Sequence, residues 1–415
     1  MDLGDYIEVR TDSEVFKGTL MPDSLSNKLI LKLDSGYNIG IDKKKIKEKK
    51  VIKEMVQKER RPNKIKFSKE LPTILILHTG GTIASKVSYK TGGVIAKFSP
   101  EEILELFPEI SNIANIKTKL ISNIFSEDMG FKDYNKLVLQ IKRECKNVEG
   151  IIITHGTDTM HYTSAALSFM LENLGFPVIL VGSQRSSDRG SSDAALNLVC
   201  AAQFIVKSNY AGVAICMHSS MNDDNCYILP GLKVKKLHSS RRDAFQTVNS
   251  KPIATVNFNG EIKYISHDFM RKDKSKELVV NLLSKNLKIG ILKVHPNMHY
   301  SEISKYKTFD GLIIEGTGLG HVPINENVKV YNALKSLNIP IVMTSQTVFG
   351  RVNLNVYSTG RKLQEFVLSG SDMTSETAFV KLAWLLSNKK DVKLISSNLK
   401  GEINERISDE FLKEY

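Results

Sequence analysis

Two hydrophobic patterns divide the chain. Up to about residue 48, short runs alternate apolar and polar positions: "YIEVRT", "VFKGTLM", "KLILKLDSG" and "YNIGI". Turn residues separate them, Pro22-Asp23 and Asp34-Ser35-Gly36. Alternation with period two marks strands with one buried face, and strands this short and closely spaced suit a small antiparallel β-barrel. From Leu71 onward the runs are apolar throughout: "TILILH", "GIIITH", "PVILVG" and "GVAICM", then "IGILKVH", "GLIIEGT" and "IPIVMTS". Helix-like stretches such as "SSDAALNLVCAAQFIV" lie between them. Strands buried on both faces and alternating with helices predict parallel sheets covered by helices, an α/β body.

A polar, charged stretch at 264–288 interrupts that series, so the body divides into two domains. The expected organisation is a small β-barrel over 1–48, a basic linker over 49–70, a larger α/β domain over 71–283 and a smaller α/β domain over 284–415. Charge follows the same map. The net charge is +13, and residues 41–70 hold 13 lysines and arginines against five acids. Such a segment is either a solvated linker or a contact for a polyanion, most naturally a nucleic-acid backbone.

Composition removes other classes. No apolar run has the length of a membrane span, and "MDLGDYIEVR" lacks the pattern of a secretory leader, so a cytoplasmic protein without membrane contact is expected. The four cysteines are scattered, as reduced thiols would be, and no His/Cys spacing suggests a metal site. There is no phosphate-loop motif, so no nucleotide is expected on this chain.

The chemistry is concentrated where apolar runs break into glycine and threonine. "ILILHTGGTIASK" covers 74–86 and "GIIITHGTDTMHYTSAAL" covers 150–167. Ligands of open parallel sheets sit beyond the carboxyl ends of the strands, and both stretches fall there. Glycine lets the backbone turn tightly and exposes N–H groups that suit an oxyanion. A threonine hydroxyl becomes a nucleophile when a base takes its proton, and a lysine of lowered pKa can be that base. Thr82 and Thr157 stand in these turns, Asp158 follows Thr157, and "GLKVKKLHSSRRDAF" (231–245) offers Lys233, Lys235 and Lys236. Each feature alone is common in structural turns and solvated loops. Together they suggest an α/β hydrolase or a small-molecule binder.

"TGGTIAS" and "THGTDTM" resemble the two signature motifs of the L-asparaginase family, amidohydrolases that cleave a side-chain carboxamide through threonine. The likeness continues through "FSEDM" (125–129), "VGSQRSSDRGSSDAALNL" (181–198) and "KLHSSRRDAF" (236–245), and spans about 71–410. Three features resemble, more narrowly, the asparaginase-like subunits of archaeal glutamyl-tRNA(Gln) amidotransferases. They are the N-terminal barrel, which free asparaginases lack; "YKTGGVIAKFSPEEI" after the first motif; and the C-terminal runs "GTGLGHVP", "TSQTVFGRVNLNVYSTGRKL" and "SGSDMTSETAFVKLAWLL".

The resemblance implies roles for single residues. Thr82 is the acyl-accepting nucleophile, with Tyr89 near its hydroxyl. Thr157 and Asp158 are the second catalytic threonine and its neighbouring carboxylate. Counting back from Phe245 puts the family's lysine at Lys236, with Lys235 and Lys233 as fallbacks. Ser126 and Glu127 hold the substrate, beside the backbone of Gly81 and Gly156. Glu127 is a departure, since free bacterial asparaginases usually carry glutamine there. The resemblance further implies glutamine or asparagine as amide donor and a partner similar to the E-type amidotransferase chain. That partner would use ATP and Mg to convert Glu-tRNA(Gln) to Gln-tRNA(Gln), with this chain as a homodimer inside a heterotetramer. A free-standing cytoplasmic L-asparaginase is the alternative enzyme. A catalytically silent module that senses an amino acid or contacts tRNA is the alternative outside catalysis.

Overall fold

The computed structural model describes residues 1–22, 27–35, 37–54, 67–81, 83, 85–87, 94–96, 103–104, 106–185 and 191–406. The N-terminal strands are β1 (Tyr6–Thr11), β2 (Val15–Met21), β3 (Lys28–Lys32), β4 (Asn38–Asp42) and β5 (Ile46–Lys53). They form one antiparallel sheet in the order β4-β3-β2-β1-β5. Ile7, Val9, Leu29, Leu31 and Ile41 make its small core. The sheet continues past residue 48 into the stretch read as linker, because β5 pairs with β1 through Lys53. Its lysines stand exposed along a sheet edge, where like charges discourage edge-to-edge association.

The larger sheet is built from β6 (Thr73–His78), β7 (Asn115–Leu120), β8 (Gly150–Thr154), β9 (Pro177–Val181), β10 (Gly212–His218) and β11 (Asn225–Pro230). After these the chain forms a two-stranded ribbon, β12 (Val234–Lys236) and β13 (Phe245–Thr247), then adds β14 (Ala254–Asn257) and β15 (Ile262–Tyr264) to the sheet edge. The sheet order is β15-β14-β11-β10-β9-β8-β6-β7. β7, β6, β8, β9 and β10 are parallel; the last three strands are antiparallel.

Alternation then sorts the two faces. Leu75, Leu77, Ile151, Ile153, Val178 and Leu180 face one core, shared with α1 (Phe131–Glu144) and α2 (Met160–Met170). Ile74, Ile76, Ile152, Ile179 and Val181 face the opposite core, under α3 (Ala194–Lys207). Every residue of β8 and β9 is buried, as their continuous apolar runs require.

The third sheet is parallel: β16 (Ile289–Lys293), β17 (Gly311–Gly316), β18 (Ile341–Ser345) and β19 (Val367–Ser369), in that order. Helix α4 (Val328–Lys335) contributes Val330 and Leu334 to its own core. Helix α5 (Ser375–Ser387) does something different. Its Ala378, Leu382 and Trp384 join the core of α1 and α2, together with Ile313 and Val342 of the third sheet. Trp384 stacks on Phe169 of α2 at 5.6 Å. One continuous apolar core therefore runs through both α/β domains and holds them in fixed relation.

Candidate active site

The site lies at the carboxyl ends of β6 and β8, which are parallel neighbours pairing His78 with Thr154. Beyond the strands the two turns are bound together. The Thr79 N–H and hydroxyl both donate to Thr154 O, at 3.2 and 2.8 Å, and His78 Nδ1 is 2.8 Å from Thr154 Oγ1. Gly81 has φ +85°, and a Cβ there would lie 2.7 Å from Gly156 N. A Cβ on Gly156 would lie 2.9 Å from Ser126 Cβ. The glycines of the two motifs are thus required by contact: three backbone turns converge within one van der Waals layer.

Thr157 is buried at the end of this convergence. Its methyl faces Gly182 beyond β9, where an added Cβ would lie 2.7 Å from Thr157 Cγ2. Lys236 reaches it from the ribbon. The ammonium donates to Thr157 Oγ1 at 2.9 Å and to Asp158 Oδ1 at 2.8 Å. The Asp158 carboxylate is 68% exposed, while the Lys236 side chain is 8% exposed. One ammonium thus joins a buried hydroxyl to an outward carboxylate.

The three candidate lysines part company in the structure. Lys233 pairs with buried Asp372 at 2.5 Å, and Lys235 with Glu376 at 2.6 Å. Of the three, it is Lys236 that reaches Thr157. Strand alternation explains the division: residues 233 and 235 share one face, and 236 points to the other.

The 125–129 turn is bolted to the same site. Thr159 donates its hydroxyl to Ser126 O at 2.5 Å. Ser126 is buried, Glu127 is exposed, and Ser126 Oγ is 3.4 Å from Glu127 Oε2. The structure brings together Gly81, Gly156, Thr157, Asp158, Lys236, Ser126 and Glu127. Thr82 and Tyr89 lie outside the described residues.

Several supporting groups are not among the residues that the sequence singles out. His155 Nδ1 is 2.6 Å from Gly156 O, and its Nε2 is 2.8 Å from Thr163 Oγ1. The carbonyl can only accept, so Nδ1 donates and Nε2 accepts from the hydroxyl. Burial pushes His155 down to about 4 and His78 down to about 3, so both struts are neutral. His155 lies inside the second motif, and its place there is a signal that could have found it. Asp193 is hidden in a polar run; it accepts from Ser183 Oγ at 2.9 Å and from the N–H groups of Gln184 and Arg185, fixing the loop after β9. Glu376 has no local signal at all. Burial would raise its carboxyl, but His161 and Lys235 outweigh that and hold it at about 2. Beside Lys235, a polar cavity of about 140 Å³ opens between Lys293, Glu315, Ser345 and Gln346 at the ends of the third sheet. Among the described residues no group of His, Cys, Asp and Glu could hold a metal ion. No helix among them is long and apolar enough to cross a membrane.

Known proteins are similar to this chain in sequence and in fold. The "Asparaginase, N-terminal" family model matches residues 73–269, and the "Glutaminase/Asparaginase C-terminal domain" model matches 288–398. A "GatD N-terminal domain" model matches 1–52. The D-type chain of the glutamyl-tRNA(Gln) amidotransferase of Methanococcus maripaludis (strain C7) is 46% identical, over 98% of this chain and 99% of the relative. The protein of the same name from Pyrococcus furiosus is 44% identical, over 97% and 95%. The chain belongs to the GatD family of glutamyl-tRNA(Gln) amidotransferase subunits.

Solved structures add the fold of the body. The thermostable L-asparaginase from Thermococcus kodakarensis superposes with a TM-score of 0.71 at 30% identity, over 80% of this chain and 100% of that one. L-asparaginase I from Vibrio cholerae gives 0.70 at 29%, over 80% and 99%. The asparaginases are thus matched over their whole length by part of this chain. In this GatD-family chain the further N-terminal domain, matched over residues 1–52, precedes the asparaginase body.

Proposed function

We propose that the chain releases ammonia from a side-chain carboxamide, that of glutamine or asparagine, and supplies it to a partner subunit. The partner, similar to the E-type amidotransferase chain, uses ATP and Mg to convert Glu-tRNA(Gln) to Gln-tRNA(Gln). The observation that carries the reading is Lys236 bridging Thr157 Oγ1 and Asp158 Oδ1 at the joined ends of β6 and β8. Near-complete alignment with GatD relatives supports this above a free-standing asparaginase.

The chemistry follows from the residues. A threonine hydroxyl attacks the amide carbon; on the motif resemblance this is Thr82, next to Gly81 in the chain. A new C–O bond forms, N–H groups of the glycine turns hold the oxyanion, and the C–N bond breaks with a proton passing to the leaving nitrogen. Water then attacks the ester and restores the hydroxyl. The proton lost by the attacking hydroxyl passes to Thr157 as Thr157 gives its own to Lys236, and the same relay run in reverse supplies the proton that the leaving nitrogen takes up. Asp158, exposed beside them, pairs with the substrate α-ammonium, and the Ser126–Glu127 turn holds the rest of the amino acid. A homodimer bound to two partner subunits is the expected assembly, working in the cytoplasm.

The test is ammonia release from glutamine by the full chain, alone and with its partner and Glu-tRNA(Gln). Low activity alone that rises with both supports a coupled enzyme. High activity indifferent to partner and tRNA would replace this reading with a free amidase.

A further inference from the structure

The strand that carries Lys236 is clamped from the opposite side by the other α/β domain. β12 has three residues and pairs with β13 as Val234↔Thr247, Lys235↔Gln246 and Lys236↔Phe245. So short a ribbon has little rigidity of its own. On one face Lys236 meets Thr157 and Asp158; on the other Lys235 meets Glu376, 2.6 Å away in the first turn of α5. Glu376 is buried and ionised, favourably placed for the positive end of its helix, and His161 Nε2 of α2 stands 3.7 Å from the same oxygen. Two more bonds tie the approach to β12 to the connection after β19 and to α5. Lys233 pairs with Asp372, and Thr377 Oγ1 donates to Leu232 O at 2.9 Å. α5 is in turn fixed by the shared core, through Ala378, Leu382 and Trp384.

We propose that Glu376 is a positioning residue for Lys236, acting through Lys235, so that the second α/β domain sets where the ammonium meets Thr157. The inference rests on the reading of Lys236 as the proton-transfer group. A pair pulling on one face of a three-residue strand fixes its twist, and the adjacent side chain on the other face inherits that placement. Proton transfer is steep in geometry, and a displacement of about 1 Å can cost about 100-fold in rate. The substrate contacts assigned to Ser126 and Glu127 do not run through Lys235, and Asp158, although it accepts from Lys236, is placed by the turn after β8 rather than by the ribbon. Losing the pair therefore lowers kcat and leaves KM nearly unchanged.

The experiment measures glutaminase kinetics in the complete complex for Lys236→Met, Glu376→Gln, Lys235→Met, the double variant of the last two, and Lys235→Arg. Circular dichroism and a thermal melt establish the folded fraction, to which every rate is referred. The proposal expects Glu376→Gln and Lys235→Met each to lower kcat about tenfold or more, with KM within about twofold. The double variant should lose no more than either single one, because the two groups act as a unit. Lys235→Arg keeps the ion pair and should keep kcat within about threefold. Unchanged kcat in both single variants, or a rise in KM alone, overturns the positioning role. If Lys235→Met does not fold, because it leaves the more deeply buried Glu376 carboxylate unpaired, Glu376→Gln decides, since the lysine that it leaves behind is the more exposed of the two. A Lys236→Met protein of near-normal activity would instead remove the functional reading beneath it.

Discussion

Lys236 Nζ lies 2.9 Å from Thr157 Oγ1, although 79 positions separate them in sequence. The lysine comes from a ribbon that belongs to no sheet of the body, and the threonine from a turn between β8 and α2. If this pair moves the proton, Thr157→Ala and Lys236→Met should each reduce ammonia release by about 10²–10⁴-fold, the usual worth of a positioned acid–base group. Steady-state ammonia assays with folded variants check this. Activity within about threefold of the parent in both would remove the pair from the mechanism.

The glycine contact makes a second prediction. Gly81→Ala would hold a Cβ-bearing residue at φ +85° and push it against Gly156 N. Left-handed strain costs about 1–3 kcal/mol, and the clash adds to it. A thermal melt should fall by several degrees, at about 2–4 °C per kcal/mol for a domain of this size. Activity should fall further than stability, because the displaced backbone is the one that frames the site.

Acidification should destabilise the protein from near neutrality downward. His78 and His155 have folded values near 3 and 4, below the ordinary value of 6.5, so the unfolded chain binds protons that the folded chain refuses. Their contribution is full above pH 6.5 and is lost as pH falls toward those values, at up to about 1.4 kcal/mol per pH unit for each proton. Glu376, held at about 2 against 4.5, adds a loss of the same sign below pH 4.5. Chemical denaturation between about pH 7.5 and 5 checks the first part. His155→Gln should flatten the slope by the share of one proton.

A fourth prediction concerns Lys381 and Glu402, 2.5 Å apart with neither side chain exposed. The ammonium also donates to Ile395 O and Ser397 O, and the carboxylate accepts from the N–H groups of Leu399 and Lys400. Together they tie the chain after α5 back onto that helix. Removing one partner leaves a buried charge, so Lys381→Met should cost about 3–5 kcal/mol. The double variant Lys381→Met with Glu402→Gln should recover part of that in urea denaturation, because no uncompensated ion remains.

The parts of this architecture legible in the sequence are those where one physical requirement dominates. β6, β8, β9 and β10 are buried almost throughout, so their apolar runs could scarcely be anything else. The glycines of both motifs announce turns at strand ends. β5 and β7 escape a reading by pattern because lysines occupy exposed edge strands, where solvent masks the alternation. Lys236 can be separated from Lys233 and Lys235 only by knowing which face of β12 looks toward Thr157. Glu376 is 141 residues from its partner Lys235, and nothing in the intervening chain foretells a contact that depends on how two domains pack.

The shortness of β12 has a consequence for how this chain tolerates length changes. Two lysines stand side by side on opposite faces, so a change of one residue in length ahead of them turns each to the other face in a single step. An insertion before Lys235 would bring Lys235 to the threonine but put the newcomer opposite Glu376, and deletion of Val234 would put Leu237 where Lys236 meets Thr157, so either change loses one of the two pairs. The connection that follows, residues 238–241, is exposed on every residue and can absorb an extra one without touching either pair. The reading frame of three residues, more than their identity, is what indels in this ribbon must respect.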